Sequence, residues 1–370
     1  MAKKASKKSI IDMSLFSSAK DALKKERSKT VLPVSPAIDL RLGGGIIEGS
    51  FVLIQGKPKC GKSLTCMEIA INALKQGRWV IYFDTECRMT ASKYFQVEDF
   101  DILNCPKFLL MNSESSSSSE KLIGGEKMYG MIIQMMKMPQ YKGAVYIIDS
   151  LSNVVTQDCL DDPEVNSQRR DSVPKLNSDL CKKMSPYIRT SNSILCGVQH
   201  LQQDLSPNAH GALKPVGGDR LIYQTDITLL SKHSPLNLDG DSISSGFEKG
   251  GDNIDGLLIR YDLPYNKLLG PYVAKEREEK IQNYYKFGKG CWKSREILDV
   301  LTELGLVDYG KSGWVTFMTE KISEKVQGAE KASQIIEDNL EYFEAILKKY
   351  YEDTYEINYN FVPVEEQEAE

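Results

Sequence analysis

Short apolar runs recur along the chain, and helical patterns separate the earlier ones. The runs typical of strands are 50–55 (SFVLIQ), 79–83 (WVIYF), 144–148 (AVYII), 193–198 (SILCGV), 225–230 (TDITLL) and 256–261. Apolar residues at helical spacing predict helices over 63–77, 130–138 and 173–188. Because continuous apolar runs alternate with helices, we expect a doubly wound α/β fold whose early strands are parallel and buried on both faces.

The amino-acid composition of the chain changes at about residue 276, where Lys/Glu-rich helical patterns begin. Helices are predicted over 294–304 and 332–350, and together they indicate a small C-terminal domain. The predicted organisation is a basic N-terminal arm, a core, this small domain and an acidic tail, over 1–35, 36–275, 276–352 and 353–370 respectively. The Ser-rich stretch 113–120 is interpreted as a surface loop.

Composition and charge limit the classes of function that the chain can have. Hydrophobic residues make up 41% of the chain and aromatic residues 9%, enough for a sizeable core. A formal net charge of −4 argues against binding of polyanions over the whole surface, so any nucleic-acid contact must be local. The charge is uneven, with lysines crowded over 3–29 and an acidic end, VEEQEAE.

Targeting and cysteine patterns indicate a cytoplasmic protein. The apolar run near the N-terminus is short and broken by Asp12, which is typical of neither a signal peptide nor a membrane span. Eight cysteines occur singly, mostly within apolar segments, and no CxxC or zinc-type spacing is present. We therefore expect reduced cysteines in the core and no membrane association.

The most informative short stretch is GKPKCGKS, from Gly56 to Ser63. Its spacing fits a phosphate-binding loop, and it follows an apolar strand and precedes a predicted helix, as that motif requires. Backbone amides of 57–62, apart from Pro58, would point at phosphates, Lys62 would reach the β- and γ-phosphates, and Ser63 would ligate Mg²⁺. The predicted nucleotide-binding residues are Gly56, Lys57, Pro58, Lys59, Cys60, Gly61, Lys62, Ser63 and Leu64.

Polar residues follow other predicted strands at the same edge of the sheet. Asp149 ends AVYII and would hold magnesium with Ser63, while Glu86, just after WVIYF, would deprotonate the attacking water. Either carboxylate alone is also typical of a helix cap or a solvated loop. Gln199 and His200 end SILCGV and precede a long Gly- and Pro-containing segment, so they are candidates for sensing the γ-phosphate, although a lone histidine is more often structural.

The order of these motifs resembles the RecA family of DNA strand-exchange recombinases. The sequence that carries the resemblance is the phosphate loop, FDTE, IIDSLSNV, VQHLQQ, a Gly-Gly after a long loop, and NKLLGPYVAKEREEKIQNYYKFGKG with GLVDYGKSGW near the end. It spans roughly residues 30 to 350 and is most similar to the bacterial and phage, UvsX-like, branch. It implies a RecA-type P-loop ATPase core with a mainly parallel sheet, an N-terminal polymerisation arm and a small α+β C-terminal domain.

The resemblance also implies residue roles. Lys62, Ser63, Glu86 and Asp149 would be the ATPase residues, and His200 would take the place of a glutamine that senses the γ-phosphate, with Gln199 in the place of an asparagine. Asn266 and Lys267 would contact the neighbouring protomer's nucleotide, where Tyr265 replaces a second lysine, and Tyr223 would pack into the adjacent subunit. Lys93 occupies the place of the aromatic residue that stacks on the adenine, and the adjacent Tyr94 is the candidate for this contact.

Two segments would bind DNA in this interpretation, 161–171 and 201–216. Arg169 and Arg170 in the first and Lys214 in the second would contact phosphates, and Leu205 would wedge between bases. Gly217 and Gly218 close the second segment and are included in the predicted DNA site. Arginines on a surface loop are otherwise usually only solvated.

The leading hypothesis is an ATP- and Mg²⁺-dependent recombinase that forms helical filaments on single-stranded DNA and exchanges strands with duplex DNA. Its implied partners are other copies of the chain, a single-strand-binding protein and a loading mediator, in a host cytoplasm if the protein is phage-encoded. Two alternatives share the ATPase motifs: a hexameric helicase or loader, and a non-catalytic recombinase paralogue or mediator.

Overall fold

A computed structural model describes most of the chain. The described residues are 16–88, 100–112 except 103, 123–162, 173–206, 212–236, 256–266, 281–286 and 290–363 except 311. Several predictions fall outside these ranges, namely the Ser-rich loop 113–120, Tyr94, Arg169, Arg170, Lys267 and the acidic end 364–370.

A ten-stranded sheet forms the centre of the fold, with the strand order β12-β11-β10-β9-β3-β7-β6-β4-β5 and β8 paired to β7. Along this path the pairings among β3 to β7 and of β9 with β3 are parallel, as the alternating pattern predicted, whereas β9 pairs with β10 antiparallel. Their bounds are Phe51–Gly56, Val80–Asp84, Phe108–Asn112, Val145–Asp149, Ile194–Gln203 and Ile227–Leu236, respectively.

The remaining strands of the central sheet are antiparallel. β8 (Leu213–Pro215) folds back on β7, and β10 (Gly256–Asn266), β11 (Ile281–Lys286) and β12 (Gly290–Cys291) extend the β9 edge. Because β11 and β12 pair with the same sheet, the sheet continues past the boundary at residue 276 that the sequence indicated. A separate two-stranded ladder joins β1 (Val31–Leu32) to β2 (Ile46–Ile47).

Helices cover both faces of the sheet. The helices of the N-terminal segment and core are α1 to α7, with bounds Ala19–Arg27, Pro36–Leu42, Lys62–Lys75, Gly125–Met136, Gln157–Asp161, Val173–Ser191 and Arg220–Gln224, and a 3₁₀ turn covers Pro139–Tyr141. Side chains of β3 alternate between two cores: Phe51 and Leu53 pack on one face, and Val52 and Ile54 pack on the other. The central strands are therefore buried on both faces, which explains their unbroken apolar sequences.

The small C-terminal unit combines a three-stranded sheet with three helices. Its strands are β13 (Val307–Tyr309), β14 (Trp314–Phe317) and β15 (Lys325–Gln327), and its helices are α8 (Lys293–Glu303), α9 (Ala329–Asp338) and α10 (Leu340–Tyr355). The single helix predicted over 332–350 is wrong, because the chain breaks at Asn339. The Asn339 side chain donates to Ile335 O (3.0 Å) and so competes with the helical backbone pattern.

The chain returns from this unit to the core. Asn358 O accepts from Val31 N (2.8 Å), and Tyr359 Oη donates to Gly44 O (2.7 Å). Arg41 of α2 also forms a salt bridge with Glu303 of α8. The described part of the segment that the sequence analysis assigned to a tail is thus bonded to the core.

Cysteine burial follows position in the fold rather than the local apolar pattern. Cys60, Cys66, Cys181 and Cys196 are buried, as expected, whereas Cys87 and Cys159 are exposed because they lie beyond a strand end and on the short helix α5. Within the described ranges, no helix is long and apolar enough to cross a membrane.

A buried acid in the first turn of α8 predicts a pH-dependent stability. Glu296 is fully buried, its Oε1 accepts from Tyr284 N (3.2 Å) and Cys291 Sγ (3.1 Å), and burial raises its pKa to about 8. The unfolded chain releases this proton near pH 4.5, so between these values the folded state binds more protons and loses stability as pH rises.

We therefore expect the free energy of unfolding of the wild type to fall by up to about 1.4 kcal/mol for each pH unit in this range. Glu296→Gln, which mimics the protonated acid, should not show this fall. Urea unfolding of both proteins at pH 6 and pH 8 measures the difference, and Glu330→Gln at an exposed position is the matched control. A wild-type and Glu296→Gln pair with the same pH dependence would contradict the prediction.

Candidate nucleotide-binding site

The predicted phosphate loop connects the end of β3 to the start of α3. A Cβ at Gly56 would lie 2.4 Å from Cys60 Sγ and 2.7 Å from Ser231 O, so no side chain fits there. Gly61 precedes α3 with φ +85°, a left-handed conformation that favours glycine. The two glycines of the motif are therefore explained by close packing and by backbone conformation.

Lys62 begins α3, and the loop closes around its side chain. Lys62 Nζ donates to Lys57 O (2.7 Å) and lies 3.7 Å from Cys60 Sγ, and the side chain is buried. Cys60 Sγ donates to the same carbonyl (2.8 Å). The loop thus holds a buried cation beside the N-terminus of α3, a combination that suits a phosphate group.

Asp149 lies at the carboxyl end of β6, beside Ser63. Tyr82 Oη donates to Asp149 Oδ2 (2.9 Å), and the Ser63 hydroxyl also hydrogen-bonds this carboxylate. Burial raises the pKa of Asp149, while these two hydrogen bonds oppose the rise. Asp84 is directly opposite Asp149 in the β4–β6 register.

Glu86 follows β4 and contacts His200 of β7 directly, through Oε1 and Nε2. The same Oε1 accepts from Ser150 Oγ (3.1 Å), and Arg88 lies 3.4 Å from Oε2. The hydrogen bond from His200 is the main cause that lowers the pKa of Glu86, although partial burial opposes it. Glu86 is therefore an ionised carboxylate at neutral pH, in a position to accept a proton.

These groups converge on one cavity of about 550 Å³. Of the predicted site residues, it brings together Pro58, Lys59, Cys60, Gly61, Lys62, Ser63, Leu64, Glu86, Asp149 and His200. The sequence analysis missed Tyr82, Asp84, Arg88 and Leu257, which also line the cavity. For Asp84 a sequence signal existed, because it is the first carboxylate of FDTE and directly ends an apolar run.

Gln199 does not line this cavity. Its carboxamide is fully buried, accepts from Gln55 Nε2 (2.7 Å), and donates to Val216 O (3.1 Å) and Gly218 O (2.9 Å). Adjacent residues of a strand point to opposite faces, so His200 and Gln199 cannot both face the nucleotide. The structure thus separates the two, with His200 at the cavity and Gln199 at the base of the following loop.

The other predicted residues lie outside this cavity. Asn266 pairs with Ile227, and Ile227 pairs with Val52 at the start of β3, so Asn266 is at the opposite edge of the sheet from Gly56. Leu205 and Tyr223 are 89% and 73% exposed. Lys214 is also exposed, and Gly217 and Gly218 have φ of +87° and +111°.

The donor set fits a magnesium ion bound together with a nucleotide. Within the described residues no group of three or more His, Cys, Asp or Glu side chains could hold a metal ion. Mg²⁺ at nucleotide sites needs only one or two protein ligands, because phosphates and waters supply the rest. Ser63 and Asp149, in contact with each other, are such a pair.

Comparison with known proteins agrees with this geometry. The family model described as ATPase, KaiC, matches residues 34–185. Protein RecA of Marinobacter nauticus is 23% identical over 323 residues, 86% of this chain and 81% of that protein. Protein RecA of Desulforapulum autotrophicum is 23% identical, covering 84% and 80%, and that of Bdellovibrio bacteriovorus is 22% identical, covering 85% and 74%. These matches confirm the resemblance of the chain to the RecA family and its fold as a RecA-type ATPase.

Proposed function

We propose that this RecA-type ATPase is a homologous recombinase that forms helical filaments on single-stranded DNA and catalyses pairing and strand exchange with duplex DNA. One observation carries the proposal: the catalytic cavity and the predicted DNA segment 201–216 share a strand. His200 contacts Glu86 at the cavity, and His200 O accepts from Val216 N (2.9 Å) at the end of that segment. Occupancy of the cavity and the position of the segment are therefore linked through the backbone of one residue.

The residues of the cavity take distinct roles in ATP hydrolysis. The loop amides and Lys62 would bind the β- and γ-phosphates, and Ser63 and Asp149 would hold Mg²⁺, which neutralises charge that develops on the phosphates. Glu86, a carboxylate that His200 contacts directly, would orient a water and accept its proton. His200, which contacts Glu86, is the residue whose position would report the γ-phosphate.

The predicted DNA surface has the chemistry for single-stranded DNA. Leu205 is an almost fully exposed apolar side chain, and Lys214 is an exposed cation on β8 of the same hairpin. Cations bind the phosphate backbone and apolar or aromatic groups contact bases, which is the usual combination for single strands. Arg169, Arg170, Gly217 and Gly218 complete the proposed DNA site.

Self-assembly would place the nucleotide between two protomers. Tyr223 is exposed on α7 and therefore accessible to a neighbouring copy, and Asn266 lies half-buried at the sheet edge opposite the cavity. With Lys267, Asn266 would reach the neighbour's nucleotide. The same proposal includes two partners, a single-strand-binding protein and a loading mediator, and a cytoplasmic location. It also includes a phage origin, which the histidine at position 200 suggests.

Electron microscopy with single-stranded DNA and a slowly hydrolysed ATP analogue tests the proposal. We expect helical filaments on the DNA. Closed six-membered rings would instead identify a helicase or loader, and an absence of any assembly under varied salt and Mg²⁺ would contradict the proposal.

The salt dependence of DNA binding adds a residue-level test. Lys214→Ala should reduce the slope of log affinity against log salt by about one, because one phosphate contact is lost. Lys142→Ala is the matched control, since Lys142 is exposed just before β6, at the sheet edge opposite the cavity. Equal slopes for the two variants and the wild type would remove Lys214 from the DNA site.

A further inference from the structure

Three consecutive backbone carbonyls, those of Val216, Gly217 and Gly218, lie where the segment 201–216 ends. Each of them accepts a hydrogen bond from a polar side chain. Gln199 Nε2 donates to Val216 O and Gly218 O, Asn177 Nδ2 donates to Gly217 O (3.0 Å), and Ser152 Oγ donates to Val216 O (3.1 Å). Gln199 and Asn177 are buried, and Ser152 is half-buried. We call Ser152, Asn177 and Gln199 the carbonyl clamp.

Ser152 connects the clamp directly to the strand that carries His200. Its Oγ accepts from His200 N (2.9 Å) while it donates to Val216 O. One hydroxyl therefore bridges the main chain of His200 and the main chain of Val216. Any displacement of the His200 main chain requires Ser152 and Val216 to move with it or to lose these bonds.

Asn177 anchors the clamp to the helical layer. Its Nδ2 also donates to Leu151 O (3.1 Å), and its Oδ1 accepts from Tyr129 Oη (2.7 Å). A Cβ at Gly217 would approach Asn177 Nδ2 to 3.0 Å, so glycine allows this contact as well as the positive φ. Buried polar groups are costly to leave unpaired, which favours one defined position of the Val216–Gly218 backbone.

We propose that the carbonyl clamp transmits the state of the nucleotide cavity to the DNA-binding segment, with Ser152 and Asn177 as positioning residues. This inference rests on the proposed function for its DNA part only. Neither side chain lines the nucleotide cavity, so their substitution removes no group that would bind or hydrolyse ATP. Ser152 acts through the main chains of His200 and Val216, and Asn177 acts through the main chain of Gly217.

The first experiment uses no DNA and measures amide hydrogen exchange over residues 212–218 with and without a non-hydrolysable ATP analogue. In the wild type we expect the analogue to change exchange by about tenfold, and in Ser152→Ala by less than about twofold. Asn177→Asp, which keeps the acceptor atom and size but loses the donor to Gly217 O, should behave like Ser152→Ala. It is the second test if one variant fails to fold.

Tyr129→Phe is the matched control, because it removes a hydrogen bond to Asn177 Oδ1 without removing any bond to the three carbonyls. It should keep the wild-type response. If Tyr129→Phe loses the response as fully as Ser152→Ala, general loosening explains the effect and the inference is overturned. A wild type whose 212–218 exchange ignores the analogue overturns it equally.

The second experiment measures ATP turnover with and without single-stranded DNA. In Ser152→Ala we expect turnover without DNA to stay within about twofold of wild type, while stimulation by DNA falls about tenfold. Unchanged stimulation in both clamp variants would overturn the inference. A wild type that responds to the analogue in exchange but not to DNA in turnover would contradict the proposed function while supporting the clamp.

Discussion

Replacement of Glu86 with glutamine should reduce ATP turnover by about a hundredfold to ten-thousandfold, the range associated with loss of a general base. Glu86 is a carboxylate at neutral pH, and the hydrogen bond from His200 lowers its pKa further, whereas glutamine can neither carry the charge nor accept the proton. Nucleotide affinity should change little, because the phosphate loop, Lys62 and Ser63 are untouched. Single-turnover hydrolysis and equilibrium binding of a fluorescent ATP analogue measure the two quantities separately.

Two further variants define what the Glu86→Gln result means. Lys62→Ala should weaken binding as well as turnover, because Lys62 is the buried cation of the loop. Glu330→Gln, at an exposed position of α9, should leave both unchanged. Wild-type turnover in Glu86→Gln would place the base elsewhere, and Asp84 would then be the candidate, since it lines the same cavity.

Replacement of Arg78 with methionine should cost about 3–5 kcal/mol of unfolding free energy, as expected when one partner of a buried ion pair is removed. Arg78 pairs with Glu48 (2.8 Å), and the two side chains are 0% and 6% exposed. Its guanidinium also donates to Gly143 O (2.9 Å) and Thr30 Oγ1 (2.7 Å) and lies 3.9 Å from the Phe361 ring centroid. Methionine leaves the Glu48 charge buried without its cation.

Chemical denaturation measures this loss, and a double variant isolates its cause. Arg78→Met with Glu48→Gln should recover part of the stability, since no unpaired charge remains. Lys232→Met is the control, because its salt bridge with Asp262 is exposed and should contribute no more than about 1 kcal/mol. An Arg78→Met protein as stable as Lys232→Met would show that the pair contributes little.

Local sequence predicted the strand, turn and helix around Gly56–Ser63 because the determinants of this arrangement are local. Gly56 and Gly61 are required by contacts and conformation within a strand, a turn and a helix that are contiguous in sequence. Asp149 was predictable for a similar reason, since parallel strands of one sheet end at the same edge. The strand Phe108–Asn112 was missed although its apolar run, FLLM, was visible in the sequence.

Contacts between distant segments were not predictable in this way. Nothing near Phe361 indicates that it stacks on Arg78, and nothing near Asn177 indicates that it binds Gly217 O. The separation of Gln199 from the cavity could have been predicted, because the period-2 alternation of a strand places it on the opposite face from His200. Sequence patterns therefore predicted most of the residues that line the cavity, whereas the connection from the cavity to the following segment required the three-dimensional structure.

ATP hydrolysis by the full chain, measured with and without single-stranded DNA, tests the proposed recombinase most directly. We expect strong stimulation by DNA, lost in Lys62→Ala, because the proposed DNA-binding segment is bonded through His200 to the proposed nucleotide cavity. Turnover that is the same with and without DNA would contradict a DNA-gated ATPase and leave only the RecA-type ATPase.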